Sequence, residues 1–344
     1  MTFKKSLIIL TILLLIITGC NNNNSADDDL VPNPDDTYEE QTEEEIEEEI
    51  IIHEPELPGA FFVMIDNHPN ARPQSNLDKA DIVYEMVCEW TYTRYLAGFY
   101  NYDPVVVGPI RSIRYYYAQT AEAYDTVVSH VGGNMDALAY VRDKNLKSMC
   151  SITTAGGYFY VDQAKKSPHK THVKSNEVLR FAESRNRPLK PLPELNVGDM
   201  GEGEKAAEIL INYGTTQYPH QVGWAYDEEV ERYIRYINGN IYKTRDDDAV
   251  YADNIVLIQA AVKSVEVPID GLQSEINILG SGKAYFLRDG FIYSGTWEKA
   301  SAKDHFVYRL DDGSLYSYTE GNVWVQQISS FDRNLSIEFE EVEG

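Results

Sequence analysis

The chain is predicted to be an α+β protein, with a mixed α/β N-terminal domain over residues 57–197 and a mainly antiparallel β domain over residues 198–344. Three observations carry this. Short apolar runs alternate with capped helical stretches in the first region. Short β-branched and aromatic runs punctuated by Asn-Gly and Asp-Gly pairs fill the second. Between them, Pro188, Pro191 and Pro193 with Gly198 and Gly201 break a polar stretch. A length of 344 residues suits about two domains.

Residues 1–20 are an address. Lys4 and Lys5 precede an apolar run over residues 7–17. The run is shorter than the about 20 residues needed to span a bilayer and fits a signal-peptide core. It ends in Ile17-Thr18-Gly19-Cys20, which resembles the lipobox of bacterial lipoproteins, cut before a cysteine that takes a diacylglyceryl group. Acyl chains of the palmitate type on Cys20 anchor stably when two or more are present. The mature protein is therefore expected on the extracytoplasmic face of the cell membrane.

Residues 21–56 carry 15 Asp or Glu and no Lys or Arg. Low hydrophobicity with charge of one sign predicts a disordered, extended tether. The whole chain has a net charge of -25, which argues against nucleic acid as a partner. Outside the leader and tether, 28 basic face 40 acidic residues, so a local basic pocket remains possible.

Within the first domain, residues 61–65 predict a buried strand, and residues 81–89 and 93–100 a strand pair. Pro109 predicts a helix start, with the helix running to about residue 124. Residues 126–131 predict a strand, after which Asn134 and Ser175 each cap a helix. In the second domain, strands are predicted at residues 208–213, 221–226, 233–237, 254–267, 283–287, 291–296, 306–310, 315–318 and 322–328. Their spacing predicts a small sandwich or barrel. Cys88 and Cys150 allow a disulfide in this compartment, while their core-like surroundings favour two buried thiols.

Two segments stand out chemically. One is the loop after the first strand, with Asn67, Arg72 and Gln74. The other is Gly108-Pro109-Ile110-Arg111-Ser112-Ile113-Arg114, where a helix starting at Pro109 would place Arg111 and Arg114 at its positive end. Guanidinia there need an anion, either external or from Glu85 or Glu89. Arg94 is a further possible partner. His130, before Gly132-Gly133, is the best-placed general base. Glu85 and Glu89 on one strand lie about 13 Å apart, too far for a glycosidase pair at about 5–9.5 Å. No G-x-S-x-G, H-E-x-x-H or phosphate-loop motif occurs, and His169-Lys170-Thr171-His172 is too little for a metal site. No cofactor or metal is expected.

The order Asn67-x-Pro69-x-Ala71-Arg72-Pro73-Gln74-Ser75, Ala80-Asp81-Ile82-Val83-Tyr84-Glu85, Thr93-Arg94, Gly108-Pro109-Ile110-Arg111-Ser112-x-Arg114 and His130-x-Gly132-Gly133 resembles the YerB-like lipoprotein family. Trp224-x-Tyr226-Asp227, Tyr233-x-Arg235 and Gly295-Thr296-Trp297-x-Lys299 resemble its C-terminal domain. The resemblance covers residues 58–330 and implies a bacterial lipid-anchored protein of two domains. It implies no activity, because the family is a domain of unknown function. Trp90-Thr91 and Asn76 depart from glycines usual in the family, and Asn240-Ile241-Tyr242-Lys243 departs from a usual Pro-His pair.

The expectation is an envelope binding lipoprotein, taking an anionic group of a cell-wall component in a pocket built by Asn67, Arg72, Gln74, Arg94, Arg111, Ser112, Arg114 and His130. One alternative is an envelope hydrolase or transferase using Glu85 or Glu89 with His130. Another is a protein-docking module for a membrane or wall assembly.

Overall fold

In a computed structural model of the chain, residues 57–339 are described, apart from residues 90, 202 and 268–270. The leader with Cys20 and the acidic tether lie outside the described residues. No helix among the described residues is long and apolar enough to cross a membrane.

Strands dominate and helices are few. The first half contains β1 (Phe61–Asp66), β2 (Ile82–Glu89), β3 (Tyr92–Phe99), α1 (Tyr115–Glu122), β4 (Val127–His130), α2 (Met135–Asp143), β5 (Ser148–Cys150), β6 (Phe159–Val161), β7 (Thr171–Val173) and α3 (Ser175–Ser184). The second half contains β8 (Glu204–Asn212), β9 (Gln221–Asp227), β10 (Arg232–Ile237), β11 (Asn240–Ile241), β12 (Tyr251–Ala252), β13 (Asn254–Gln259), β14 (Val262–Val267), β15 (Gly271–Ile276), β16 (Gly280–Arg288), β17 (Phe291–Lys299), β18 (Val307–Leu310), β19 (Val323–Ile328), α4 (Phe331–Asn334) and β20 (Leu335–Phe339).

The main sheet runs β11-β10-β9-β8-β17-β16-β13-β19-β2-β3-β1-β4-β5. Its middle is mixed: β19 runs parallel to both β13 and β2, and β1 parallel to β4. All six residues of β1 are buried. Phe61, Val63 and Ile65 enter one core, and Phe62 and Met64 enter the other. This is the period-two alternation of a strand covered on both faces.

The sheet turns at a short β8–β17 pairing of two residue pairs. Strands β8–β10 then pack across the first core, with Trp224 against Trp324 at 5.2 Å between ring centroids. Tyr116 and Tyr117 of α1 fill the other core, together with Ala137 of α2 and Phe306.

The expected hairpins at Asn238-Gly239 and Asp289-Gly290 form, with positive φ at all four residues. That is what the primed turns favoured between twisted strands require. Four expectations are corrected. The separate small sandwich or barrel expected of residues 198–344 does not form, because most of their strands join those of the first half in one mixed sheet. No strand forms over residues 315–318. The strand predicted over residues 254–267 breaks after Gln259, because β14 leaves the sheet to pair with β15. The helix predicted from Pro109 starts only at Tyr115. Residues 107–113 are instead fixed as an extended segment by backbone hydrogen bonds. Asp66 N donates to Pro109 O (2.8 Å), Ile110 N to Thr171 O (2.7 Å), Arg111 N to Met64 O (2.9 Å) and Val131 N to Arg111 O (3.1 Å). Those long-range partners outcompete the i→i−4 pattern of a helix. Gly108 is required there, since its φ is 150° and a Cβ would sit 2.6 Å from the His172 ring.

Candidate functional site: an arginine cluster at the end of β1

Strand alternation divides the candidate residues between two faces. Asp66 ends β1 directly opposite Arg94 of β3. On this face Arg94 donates from Nη1 to Ser112 O (2.7 Å) and from Nη2 to Glu89 Oε1 (2.9 Å). Arg114 donates to the same Glu89 oxygen. A β-bulge between Val87 and Glu89 shifts the register of β2 against β3, which brings Glu89 to Arg94. Arg111 Nε lies 3.2 Å from Asp66 Oδ2, too misaligned for a hydrogen bond. His169 Nδ1 reaches the same Asp66 oxygen at 2.7 Å, and the His68 ring stacks on His169 at 4.7 Å.

Three guanidinia thus face two carboxylates. Burial would raise Asp66, but the hydrogen bond from His169 and the Arg94 and Arg111 charges hold it below the usual carboxylate range. Glu89 is held low against its burial by Arg94 and Arg114. Burial together with the Arg94 and Arg114 charges pushes Arg111 down, against the pull of Asp66 and Glu89. Nε of Arg111 and Nε of Arg114 are buried without a hydrogen-bond partner. The Arg111 side chain is 23 % exposed and that of Glu89 37 %. A pocket of about 380 Å³ opens beside Arg114 and Glu89, lined also by Ser112, Gly133, Asn134 and Gln273.

Asn67, Arg72 and Gln74 belong to the opposite face. Arg72 Nε donates to Asn67 Oδ1 (2.9 Å), and Arg72 Nη2 lies 3.3 Å from His220 Nε2. Gln74 Nε2 donates to Asp66 O (2.7 Å), and Gln74 Oε1 accepts from Tyr242. Glu85 is fully buried and saturated. It accepts from Arg235 Nη2 (2.7 Å), Trp324 Nε1 (3.1 Å) and Thr93 Oγ1 (2.7 Å), with Asn67 Nδ2 at 3.5 Å. These donors leave Glu85 no free face for acid–base work.

His130 joins neither cluster. Its Nδ1 lies 2.7 Å from Gly132 O and its Nε2 2.7 Å from Ser148 Oγ. The register of β4 with β5 sets it opposite Cys150. Cys88 and Cys150 are both free and buried thiols. Burial would raise the Cys150 thiol, but the adjoining His130 imidazole outweighs it and brings the thiol down to about 6. Thiolate absorbance near 240 nm, taken as the difference between the native chain and Cys150→Ser, is therefore expected to rise with a midpoint near pH 6. In His130→Gln the midpoint should return toward about 8.5. A native midpoint at the ordinary value would refute this coupling.

Asp66, His169, His220 and Arg235 were missed as site residues. His169 was visible in the sequence, but its partner lies 103 positions away. The resemblance pattern contained Arg235, yet nothing local marks a buried arginine.

A family model described as "Protein of unknown function (DUF3048) N-terminal domain" matches residues 48–188, and its C-terminal counterpart matches residues 209–325. The chain is 27 % identical over 275 residues to the "Putative lipoprotein YerB" of Bacillus subtilis (strain 168), covering 78 % of this chain and 81 % of that protein. The crystal structure of the YerB protein from Bacillus subtilis superposes with a TM-score of 0.73 at 27 % identity, covering 81 % of this chain and 93 % of that one.

Proposed function

The chain belongs to the DUF3048 family, and from that premise we propose that it is a lipoprotein anchored through Cys20 outside the cytoplasmic membrane, where it binds an anionic group of a cell-wall component. The lipobox-like Ile17-Thr18-Gly19-Cys20 supports the anchoring, as does the similarity to a protein described as a lipoprotein. In this reading the folded part, residues 57–197 and 198–344, stands off the membrane on the acidic tether.

The observation that carries the ligand class is the excess of guanidinium over carboxylate at the end of β1, with Arg114, whose buried Nε has no hydrogen-bond partner, lining a pocket. A phosphate or carboxylate entering there would accept from Arg114 and lie close to the start of α2, whose free N–H groups favour an anion. Arg94 and Arg111 would add charge from behind. The ligand-binding set then shrinks to Arg94, Arg111, Ser112 and Arg114. Asn67, Arg72 and Gln74 brace the opposite face, and His130 stands apart.

Glu89 competes with the ligand for Arg114. In calorimetric titrations of the full-length chain in detergent with inorganic phosphate and with an anionic stem peptide, Arg114→Gln is expected to weaken binding about tenfold. Arg111→Gln should weaken it by a smaller factor. Glu89→Gln should tighten it, because it removes the competing charge. Equal affinities across all four proteins would refute the reading.

A further inference from the structure

The face of the sheet that carries α1 also holds a second cavity, away from the arginines. It measures about 380 Å³, within the about 300–1,000 Å³ of small-molecule sites and at the low end, where one ring fits better than a long chain. Its walls come from both halves of the chain. Tyr84 of β2 and Tyr124 after α1 face Phe306, Tyr308 and Tyr318, and Leu192 contributes an apolar edge.

No Lys or Arg lines this cavity, whereas Asp81 and Glu194 do. Asp81 is already occupied, accepting from Tyr100 N (2.6 Å), Asn101 N (3.2 Å) and Asn101 Nδ2 (2.8 Å). Burial and the Lys299 charge push His305, also in the wall, below its ordinary value, so it is mostly neutral at pH 7. The site therefore disfavours the anions that the arginine cluster would attract.

Its hydroxyls retain unused hydrogen-bonding capacity. The Tyr308 hydroxyl is buried without a partner, in a residue only 7 % exposed. The Tyr84 and Tyr124 hydroxyls lie 2.7 Å apart. One donates to the other, and the acceptor's own proton has no place within the pair. Burial keeps Tyr84 and Tyr308 protonated far above the ordinary tyrosine range. The cavity thus offers aromatic surface together with phenolic protons that need acceptors.

We propose that this cavity binds a neutral saccharide ring, with its C–H face against the aromatic walls and its oxygens accepting from Tyr308 and the Tyr84–Tyr124 pair. An aromatic ring such as p-cresol has one acceptor oxygen and would leave one of the two phenolic protons unpaired. The trimethylammonium head of choline carries no acceptor for those protons. A pyranose supplies both an apolar face and acceptors.

The test is ligand-observed NMR and calorimetry on the full-length chain in detergent with methyl N-acetyl-β-glucosaminide, using p-cresol and choline as comparators. Binding of the saccharide at about 1 mM is expected. Tyr308→Phe should weaken it about tenfold. The same substitution should leave the melting temperature unchanged or raise it, since it removes an unsatisfied buried hydroxyl. Arg111→Gln should leave saccharide binding unchanged, which separates this site from the anion site. Absence of saccharide binding, equal binding by Tyr308→Phe, or a preference for p-cresol or choline would overturn the proposal.

Discussion

Arg235→Ala is expected to lower the free energy of unfolding by about 3–5 kcal/mol, the usual cost of removing one partner of a buried ion pair. Arg235 and Glu85 have fully buried side chains 2.7 Å apart. The pair links β10 to β2, and so joins the strands packed across the first core to the middle of the sheet. Trp324 and Trp224 lie 4.5 and 5.0 Å from the guanidinium carbon, adding cation–π attraction in a desolvated setting. Arg235→Ala leaves the Glu85 carboxyl in the core without its guanidinium partner, with only the neutral donors Thr93, Asn67 and Trp324. Glu85→Ala should cost a similar amount by leaving Arg235 unpaired. The double variant Glu85→Leu with Arg235→Met should recover part of the loss, because no lone charge then remains. Full recovery is not expected, since the donors that served Glu85 lose their acceptor. Urea denaturation of the four proteins checks this. A loss below about 1 kcal/mol for either single variant would show that water reaches the pair.

The second large effect is acid lability through His220. Burial, followed by the Arg72 charge, brings this imidazole down to about 4. The ring is neutral, donating from Nδ1 to Thr91 O (2.7 Å) and presenting Nε2 to Arg72 (3.3 Å). An unfolded chain takes up that proton near pH 6.5, whereas the folded chain resists until about pH 4. Between those values the unfolded state binds more protons, so stability falls as the pH falls. The contribution is full above about pH 6.5 and is lost progressively down to about pH 4, amounting to about 3 kcal/mol. His220→Gln keeps a donor and an acceptor but does not titrate, and should flatten the stability profile across that window. An unchanged profile in the variant would show that His220 titrates normally in the fold.

The legible parts of this protein were local. The alternation of residues 61–65, the Asn134 cap and the Asn-Gly and Asp-Gly turns each depend on neighbours within a few positions. The first strand, the helix after Asn134 and the strand before Asn238-Gly239 therefore match expectation to within a residue or two, while the strands flanking Asp289-Gly290 run three residues further at their outer ends. Among the misread elements, the helix expected from Pro109 failed because its backbone groups found partners at Met64, Thr171 and Val131, none of them close in sequence. The same limit applied to the site. Asp66 and Asn67 are adjacent, yet strand alternation directs them to different clusters: Asp66 meets Arg111 and His169, and Asn67 meets Arg72 and Thr93.

Composition and order along the chain lead to the expectation of a lipoprotein leader ending at Cys20 and an acidic tether, both outside the described residues, and to a strand-rich folded part with a pool of arginines in its first half. These features rest on charge, hydrophobicity and short-range backbone preference, all carried by consecutive residues. Tertiary structure alone decided which arginine meets which carboxylate, which glutamate is saturated and which tyrosine hydroxyl is left without a partner. Those outcomes depend on strand register, on one bulge and on β19 lying between β13 and β2. Each is set by packing between segments far apart in the chain, where a single-residue shift would turn every side chain to the other face.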